Sequence, residues 1–120
     1  ECVFQKHCIF ELFWLAEFQL LKSKNEIFFG ANNSELYFEE NDFDDFILRL
    51  KQIPNISYVH PVIEHSWGQR VVRFYDPDKH IIEVAEDLTK VVRKFLNKGM
   101  SAETVATRMD VPVDYVKSCL

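Results

Sequence analysis

The sequence predicts an α+β domain followed by a helical extension. Between residues 35 and 85 the hydrophobic pattern changes in the order strand, helix, strand, strand, strand. The last two strands, Gln69–Tyr75 and His80–Ala85, are separated by Asp76-Pro77-Asp78-Lys79. Proline presets the backbone of such a turn, and aspartates accept hydrogen bonds from nearby N–H groups. After Glu86 the apolar residues recur at helical spacing. These observations predict a βαβββ unit with helices appended to its carboxyl end.

The unit begins with a strand predicted at Glu35–Glu40. Asn41 or Asp42 can cap the helix that follows, because short polar side chains accept hydrogen bonds from the free N–H groups of a first turn. Pro54 and Asn55 end this helix. The apolar residues of the helix recur at positions that share one face: Phe43, Phe46, Ile47 and Leu50.

The strand after the helix is predicted at Ile56–Glu64. It contains Pro61, which predicts an edge strand or a bulge because proline cannot donate a backbone hydrogen bond. Regular alternation along the strand places His60 and Glu64 on one face. Eight residues of the unit are expected to be largely buried: Phe43, Phe46, Ile47, Leu50, Val72, Phe74, Ile82 and Val84.

Three short helices are predicted in residues 87–120. Asp87 caps the first, Ser101 caps the second and Pro112 opens the third. Residues 100–117 resemble a helix-turn-helix. The start of the second helix of this motif carries one acidic and no basic residue, which argues against DNA binding. We therefore interpret this extension as an interaction or lid element.

Composition limits the function classes. The 120 residues carry a formal net charge of −5, which argues against binding nucleic acid or an anionic membrane surface, since both need a basic face. No run approaches the ~18 apolar residues of a membrane span. The 3 glycines form no phosphate-binding loop, so no nucleotide cofactor is expected. The 3 cysteines lack metal-type spacing and predict free thiols in a cytoplasmic protein.

The hairpin region also resembles a known family. The segments Trp67-Gly68-Gln69-Arg70, Arg73-Phe74-Tyr75-Asp76-Pro77-Asp78 and His80-Ile81-Ile82-Glu83 are similar to the end of a glyoxalase/bleomycin-resistance/extradiol-dioxygenase module, of the vicinal oxygen chelate superfamily. In that family an Asp-Pro-Asp-Gly turn leads into a strand whose glutamate is a metal ligand. The matching glutamate here is Glu83, and Lys79 stands where glycine is usual. Lysine is strained there if the turn requires a positive φ.

The resemblance implies a glyoxalase-like domain at 1–86 with a cupped mixed sheet. Residues 35–86 match a complete βαβββ module, and 1–34 match an incomplete first module with strands at Val3–Leu12 and Glu26–Phe29 and a short helix between them. An incomplete module leaves an open sheet edge, and such edges are normally covered or paired. We therefore expect a homodimer in which the apolar faces of helices 88–96 and 102–109 supply the cover.

The same resemblance implies a divalent metal site. Ligands in the family lie on the first and last strands of each module, which gives Glu35, Glu83 and, from the incomplete module, Glu11. Glu35 stands where a histidine is common. Carboxylates suit a hard or borderline ion, so Mn, Fe, Ni, Zn and Mg are all candidates. The implied activity is that of a metal-dependent lyase or isomerase, or a related dioxygenase-superfamily enzyme, acting on a small-molecule substrate with vicinal oxygens. Glu83 is then ligand and catalytic base.

Alternatives stay open for each part of this site. A metal-free protein of the bleomycin-resistance type would bind a drug-like molecule without chemistry, and a metal assay separates the two functions. Tyr37, Trp67 and Arg73 are the candidate substrate contacts. Arg70 and Arg73 lie on opposite faces of one strand, so one of them should meet solvent. The other pairs either with a substrate carboxylate or with Glu83 across neighbouring strands.

Overall fold

The computed structural model describes residues 30–120 and confirms the βαβββ unit followed by three helices. The strands predicted at Val3–Leu12 and Glu26–Phe29, the helix between them and the candidate ligand Glu11 lie outside the described residues. The described elements are β1 (Glu35–Glu40), α1 (Phe43–Gln52), β2 (Tyr58–Glu64), β3 (Arg70–Tyr75), β4 (Ile81–Glu86), α2 (Leu88–Asn97), α3 (Ala102–Met109) and α4 (Val113–Ser118).

The four described strands form one mixed sheet in the order β1-β4-β3-β2. Strand β4 runs parallel to β1 and antiparallel to β3, and β2 runs antiparallel to β3. The β3–β4 turn is closed by the N–H of Asp76, which donates to the carbonyl oxygen of His80 at 3.0 Å. Lys79 adopts a φ of +68° in this turn. The turn therefore requires the left-handed conformation in which lysine is strained.

Helix α1 covers one face of the sheet. It begins where predicted, because the Asp42 side chain accepts a hydrogen bond from the N–H of Asp45 at 3.1 Å. Four of the eight predicted core residues are buried, at most 5% exposed: Phe43, Leu50, Val72 and Val84. The other four pack against this cluster but are only partly buried: Phe46, Ile47, Phe74 and Ile82.

Strand β2 is irregular, as Pro61 predicts. Its pairing with β3 shifts register on both sides of His60, which is the mark of a bulged strand. Among the described strands β2 is at the edge of the sheet. The bulge changes which face the later residues occupy: His60 pairs with Arg73, whereas Glu64 pairs with Arg70. The predicted shared face of His60 and Glu64 is therefore wrong.

The three C-terminal helices pack mainly on one another. Their caps are as predicted, since Asp87 accepts from the N–H of Lys90 at 2.9 Å and Ser101 accepts from that of Thr104 at 3.2 Å. Because their apolar faces meet inside the extension, the prediction that the faces of α2 and α3 cover an open sheet edge is wrong. The buried residues of this helical cluster are Val91, Val92, Phe95, Val105, Ala106, Met109, Val116 and Cys119.

The extension meets the sheet at the turn before β3. Gly68 has a φ of +88°, and a Cβ atom there would lie 2.2 Å from Cζ of Phe95 on α2. Only glycine permits this approach. Trp67 packs against the helical cluster and stacks on His65, with ring centroids 4.1 Å apart. Within residues 30–120, the helices are too short or too polar to cross a membrane.

Candidate functional site

The sheet face that points away from α1 carries most of the predicted site residues. Strand register places Tyr37 beside Glu83 on one side and Arg73 beside Glu83 on the other. Glu35 lies two residues before Tyr37 and shares its face. The prediction that Glu35 and Glu83 project from the same face is confirmed. We call this surface, with Glu35, Tyr37, Arg73 and Glu83, the site face.

Arg73 joins three side chains on the site face. Its Nε donates to Oε2 of Glu35 at 2.9 Å, and its Nη2 forms an ion pair with Oε2 of Glu83. Its Nη1 lies 3.2 Å from Nε2 of His60. Glu83 is 6% exposed, whereas the side chain of Glu35 is 41% exposed and that of Arg73 is 27% exposed. The cross-strand pair of Arg73 with Glu83, one of the two predicted alternatives, is therefore present.

Oε2 of Glu83 is a buried oxygen that depends on charge compensation. It forms no hydrogen bond of standard geometry within the described part of the chain, although the Arg73 guanidinium contacts it. A carboxylate removed from water is costly unless a cation lies near it. Arg73 is therefore the group that permits a charged Glu83 in the sheet.

His60 enters the site face from β2 as a hydrogen-bond acceptor. Its Nδ1 lies 2.7 Å from the carbonyl oxygen of Pro61. A carbonyl oxygen can only accept, so Nδ1 carries the ring proton and Nε2 accepts from Arg73. Sequence reasoning missed His60 as a site residue, because its position beside Arg73 depends on the bulge in β2.

A second set of hydrogen bonds leads to Tyr37. Trp67 Nε1 donates to Oε1 of Gln69 at 3.0 Å, and Gln69 Nε2 donates to Oη of Tyr37 at 3.3 Å. Tyr37 in turn donates to Oε1 of Glu39 at 2.9 Å. Gln69 Nε2 also donates to the carbonyl oxygen of Glu86 at 2.8 Å. Sequence reasoning selected Trp67 and Tyr37 but did not select Gln69 or Glu39 as site residues. The role of Gln69 depends on a contact between separate elements.

The surroundings of Tyr37 raise the pKa of its hydroxyl to about 12. Burial is the largest cause, the hydrogen bond to Glu39 and its charge add to the effect, and the hydrogen bond from Gln69 opposes it. Tyr37 is nevertheless 49% exposed. At neutral pH the hydroxyl is protonated and directs its proton at Glu39.

A separate group of potential metal ligands lies in the β3–β4 turn. The ligand atoms of Asp76, Asp78 and His80 lie within 4.8 Å of one another. Asp76 already accepts from the backbone N–H of His80 at 2.8 Å, and its second oxygen lies 3.0 Å from Nδ1 of the ring. These contacts close the turn. They account for the positions of Asp76 and His80 in this cluster.

Arg70 lies on the opposite sheet face and forms ion pairs with two acids. Its Nη1 is 2.7 Å from Asp44, and its Nη2 is 2.6 Å from Glu86. The hydrogen bond to Asp44, followed by that to Glu86, raises the pKa of Arg70. The same guanidinium lowers the pKa of Asp44. These residues line a cavity of about 160 Å³ beside the first turns of α1 and α2.

The residues that the structure places on the site face do not fit a resident divalent ion as they stand. Glu35 and Glu83 are both bound to Arg73, and a guanidinium between two carboxylates repels a metal cation. Among residues 30–120 the cluster with metal-type spacing is the one in the hairpin turn, not one on the site face. Arg73 supplies the positive charge that the family resemblance assigns to a metal.

The chain is similar to one family model and to two solved structures. A model described as a glyoxalase-like domain matches residues 11–89. A protein of unknown function from Agrobacterium tumefaciens str. C58 is 38% identical, with 59% of this chain and 56% of that chain covered and a TM-score of 0.47. A member of the glyoxalase/bleomycin resistance protein/dioxygenase superfamily from Sphaerobacter thermophilus DSM 20745 is 24% identical, with 46% and 42% covered and a TM-score of 0.31. The chain thus spans about half the length of these solved chains. No curated protein matches it.

Proposed function

Because the chain belongs to the glyoxalase-like domain family, we propose that it is a glyoxalase/bleomycin-resistance-like protein whose site face binds a small molecule without a resident metal ion. The observation that carries this proposal is the position of Arg73, which bridges Glu35 and the buried Glu83. The charge compensation expected of a metal ion is provided by the chain itself. The site then holds a ligand by shape, hydrogen bonds and charge.

The charge of the site face favours a basic ligand. Among residues 30–120, Glu35, Glu39 and Glu83 contribute three carboxylates to this face, against the guanidinium of Arg73. Negative charge is therefore in excess on the described part of the face, in a chain whose net charge is −5. Such a surface attracts cations and repels anions. The exposed ring of Tyr37 adds an aromatic surface that a cation can contact.

Two measurements on the purified full chain test the proposal. Elemental analysis and calorimetry with Mn²⁺ are expected to show no stoichiometric metal. Titration with metal-free bleomycin, a basic drug, is expected to change the tryptophan fluorescence of a Trp14→Phe variant, in which Trp67 remains, whereas the acidic peptide glutathione is not. Glu39→Gln should weaken bleomycin binding, and Glu40→Gln, a neighbouring carboxylate from the opposite face, should not. Tight stoichiometric Mn²⁺ binding that Glu83→Gln abolishes would overturn the proposal.

The second candidate is a metal-dependent lyase or isomerase acting on a substrate with vicinal oxygens. What favours it is Oε2 of Glu83, a buried carboxylate oxygen without a standard hydrogen bond. Glu83 would be ligand and base, with Glu35 and Glu11 as further ligands and Mn, Fe, Ni, Zn or Mg as the ion. This candidate requires Arg73 to leave both carboxylates. The Mn²⁺ titration therefore decides between the two functions.

We further propose that the protein is a cytoplasmic homodimer. Strand β2 is an edge among the described strands and exposes four apolar side chains: Tyr58, Val59, Val62 and Ile63. A second copy would remove this surface from water. Cys119 is a free, buried thiol, which fits a reducing compartment. Sedimentation equilibrium tests the dimer, and Val62→Lys should shift it towards monomer.

A further inference from the structure

We propose that Gln69 is a positioning residue, which sets the direction of the hydrogen bonds at Tyr37 and leaves the Tyr37 oxygen as an acceptor for an N–H or O–H group of the ligand. The hydrogen-bond direction follows from the described contacts alone. The ligand class rests on the proposed function and makes it more specific. It adds one contact, with the Tyr37 oxygen, to a general preference for basic molecules.

The orientation of the Gln69 amide is determined by its partners. The residue is 5% exposed. Its Nε2 lies 2.8 Å from the carbonyl oxygen of Glu86, which can only accept, and its Oε1 lies 3.0 Å from Nε1 of Trp67, which can only donate. The reversed amide would place donor against donor and acceptor against acceptor. The second proton of Nε2 is therefore available only to Tyr37, 3.3 Å away.

This orientation determines what Tyr37 presents to a ligand. Its oxygen accepts from Gln69, so its single proton goes to Glu39, whose carboxylate can only accept. The direction of donation is therefore from Trp67 through Gln69 and Tyr37 to Glu39. The hydroxyl has no second proton to offer, but it has a remaining lone pair. A ligand that meets the Tyr37 oxygen must donate to it.

The helical extension holds the other end of this network. Gln69 follows Gly68, whose backbone lies against the Phe95 ring of α2. The Gln69 carbonyl oxygen accepts from the N–H of His65 at 2.9 Å, and the N–H of Gly68 donates to the carbonyl oxygen of His65 at 2.8 Å. The turn is thus closed by its own backbone and pressed against α2. This contact explains why a residue outside the site face can position one within it.

Titration of Tyr37 in the full chain tests the hydrogen-bond direction. Incorporation of 3-fluorotyrosine at position 37 lowers the intrinsic pKa of the phenol, so ¹⁹F NMR can follow its titration at a lower pH than in the unmodified chain. Gln69→Leu should raise the pKa by about 0.5 or more, because the tyrosinate loses a donor. Glu39→Gln should lower the pKa, because a negative neighbour disappears. Trp67→Phe should leave the pKa unchanged, since Glu86 still orients the amide.

Each outcome bears on the proposal. A folded Gln69→Leu variant with an unchanged or lower pKa overturns it. Should that variant fail to fold, the exposed Glu39→Gln variant decides, with Glu35→Gln as control, since Glu35 shares the face but binds Arg73. An unchanged pKa in Glu39→Gln would show that Tyr37 does not direct its proton there.

A binding measurement separates this inference from the proposed function. Tyr37→Phe removes the acceptor and keeps the ring, so it should weaken bleomycin binding about tenfold, the loss of a hydrogen bond to a charged donor. If the wild-type chain binds bleomycin and Tyr37→Phe binds equally well, the acceptor role is refuted and the proposed function stands. If the wild-type chain does not bind bleomycin while the titrations behave as expected, the basic-ligand part of the proposed function fails and the hydrogen-bond direction is retained.

Discussion

Replacing Arg73 with glutamine tests whether this guanidinium is the internal counter-ion of the site face. The variant removes the cation that contacts both Glu35 and Glu83. Glutamine can still donate one hydrogen bond but carries no charge. Glu83, 6% exposed, would then be a buried carboxylate without a compensating cation among the described residues. The chain should therefore lose stability.

The size of the loss follows from the exposure of each partner. Breaking a buried ion pair by removing one partner costs about 3–5 kcal/mol. The Arg73 side chain is 27% exposed, so solvent screening places the Glu83 contribution at the lower end of this range. The pair with Glu35 is more exposed and contributes ~1 kcal/mol or less. We expect Arg73→Gln to lower the free energy of unfolding by about 3 kcal/mol.

Urea unfolding followed by circular dichroism measures this change, and a double-mutant cycle assigns it. Adding Glu83→Gln removes the buried charge, so the double variant should recover most of the lost stability. Arg49→Gln is the matched control, because it breaks an exposed Arg–Asp pair and should cost about 0.5 kcal/mol or less. The reasoning is refuted if Arg73→Gln loses no more than Arg49→Gln, or if the double variant is no more stable than Arg73→Gln.

Three further predictions concern backbone strain and pH. Gly68→Ala should destabilise the chain well beyond Gly99→Ala in thermal unfolding: both positions have positive φ, but a Cβ at 68 lies 2.2 Å from an aromatic carbon and one at 99 meets nothing. Lys79→Gly should raise stability by about 0.5–1 kcal/mol, because the strain at φ +68° exceeds the added chain entropy; an unchanged midpoint would contradict this. Arg70 lowers the pKa of Asp44, so this pair stabilises the fold above the ordinary aspartate pKa and is lost as pH falls through the lowered value. In NMR titration Arg70→Gln should return the pKa of Asp44 towards its ordinary range.

Strand parity explains why part of the site could be predicted from the sequence. Residues two positions apart on a regular strand share a face. Glu83 therefore shares its face with Ile81 and Ala85, and Glu35 shares its face with Tyr37, so each assignment needs only a regular strand. Both strands are regular and pair in continuous register. The turn and the helix caps could also be predicted from the sequence, since their side chains bond to backbone groups of neighbouring residues.

The rest of the site depends on contacts that no local pattern specifies. Pro61 predicts an irregular strand, but the register shift that turns His60 towards Arg73 is set by the whole β2–β3 pairing. Gln69 acquires its role because Glu86 and Trp67 approach it from other parts of the chain. The apolar faces of the C-terminal helices could likewise be recognised from the sequence, but the surfaces that they pack against could not. They pack on one another instead of on a sheet edge.

The identity of residue 35 connects these observations. In the family that the hairpin resembles, this position is commonly a histidine that binds metal. A glutamate there offers a carboxylate oxygen in place of an imidazole nitrogen, and it also pairs with a guanidinium, which a neutral imidazole does not do with comparable strength. Arg73 lies within 2.9 Å of it and also contacts Glu83. Each carboxylate alone would favour a metal ion. With Arg73 between them, the same two carboxylates are partly compensated, and the proposed preference for a basic ligand depends on the negative charge that remains, including that of Glu39.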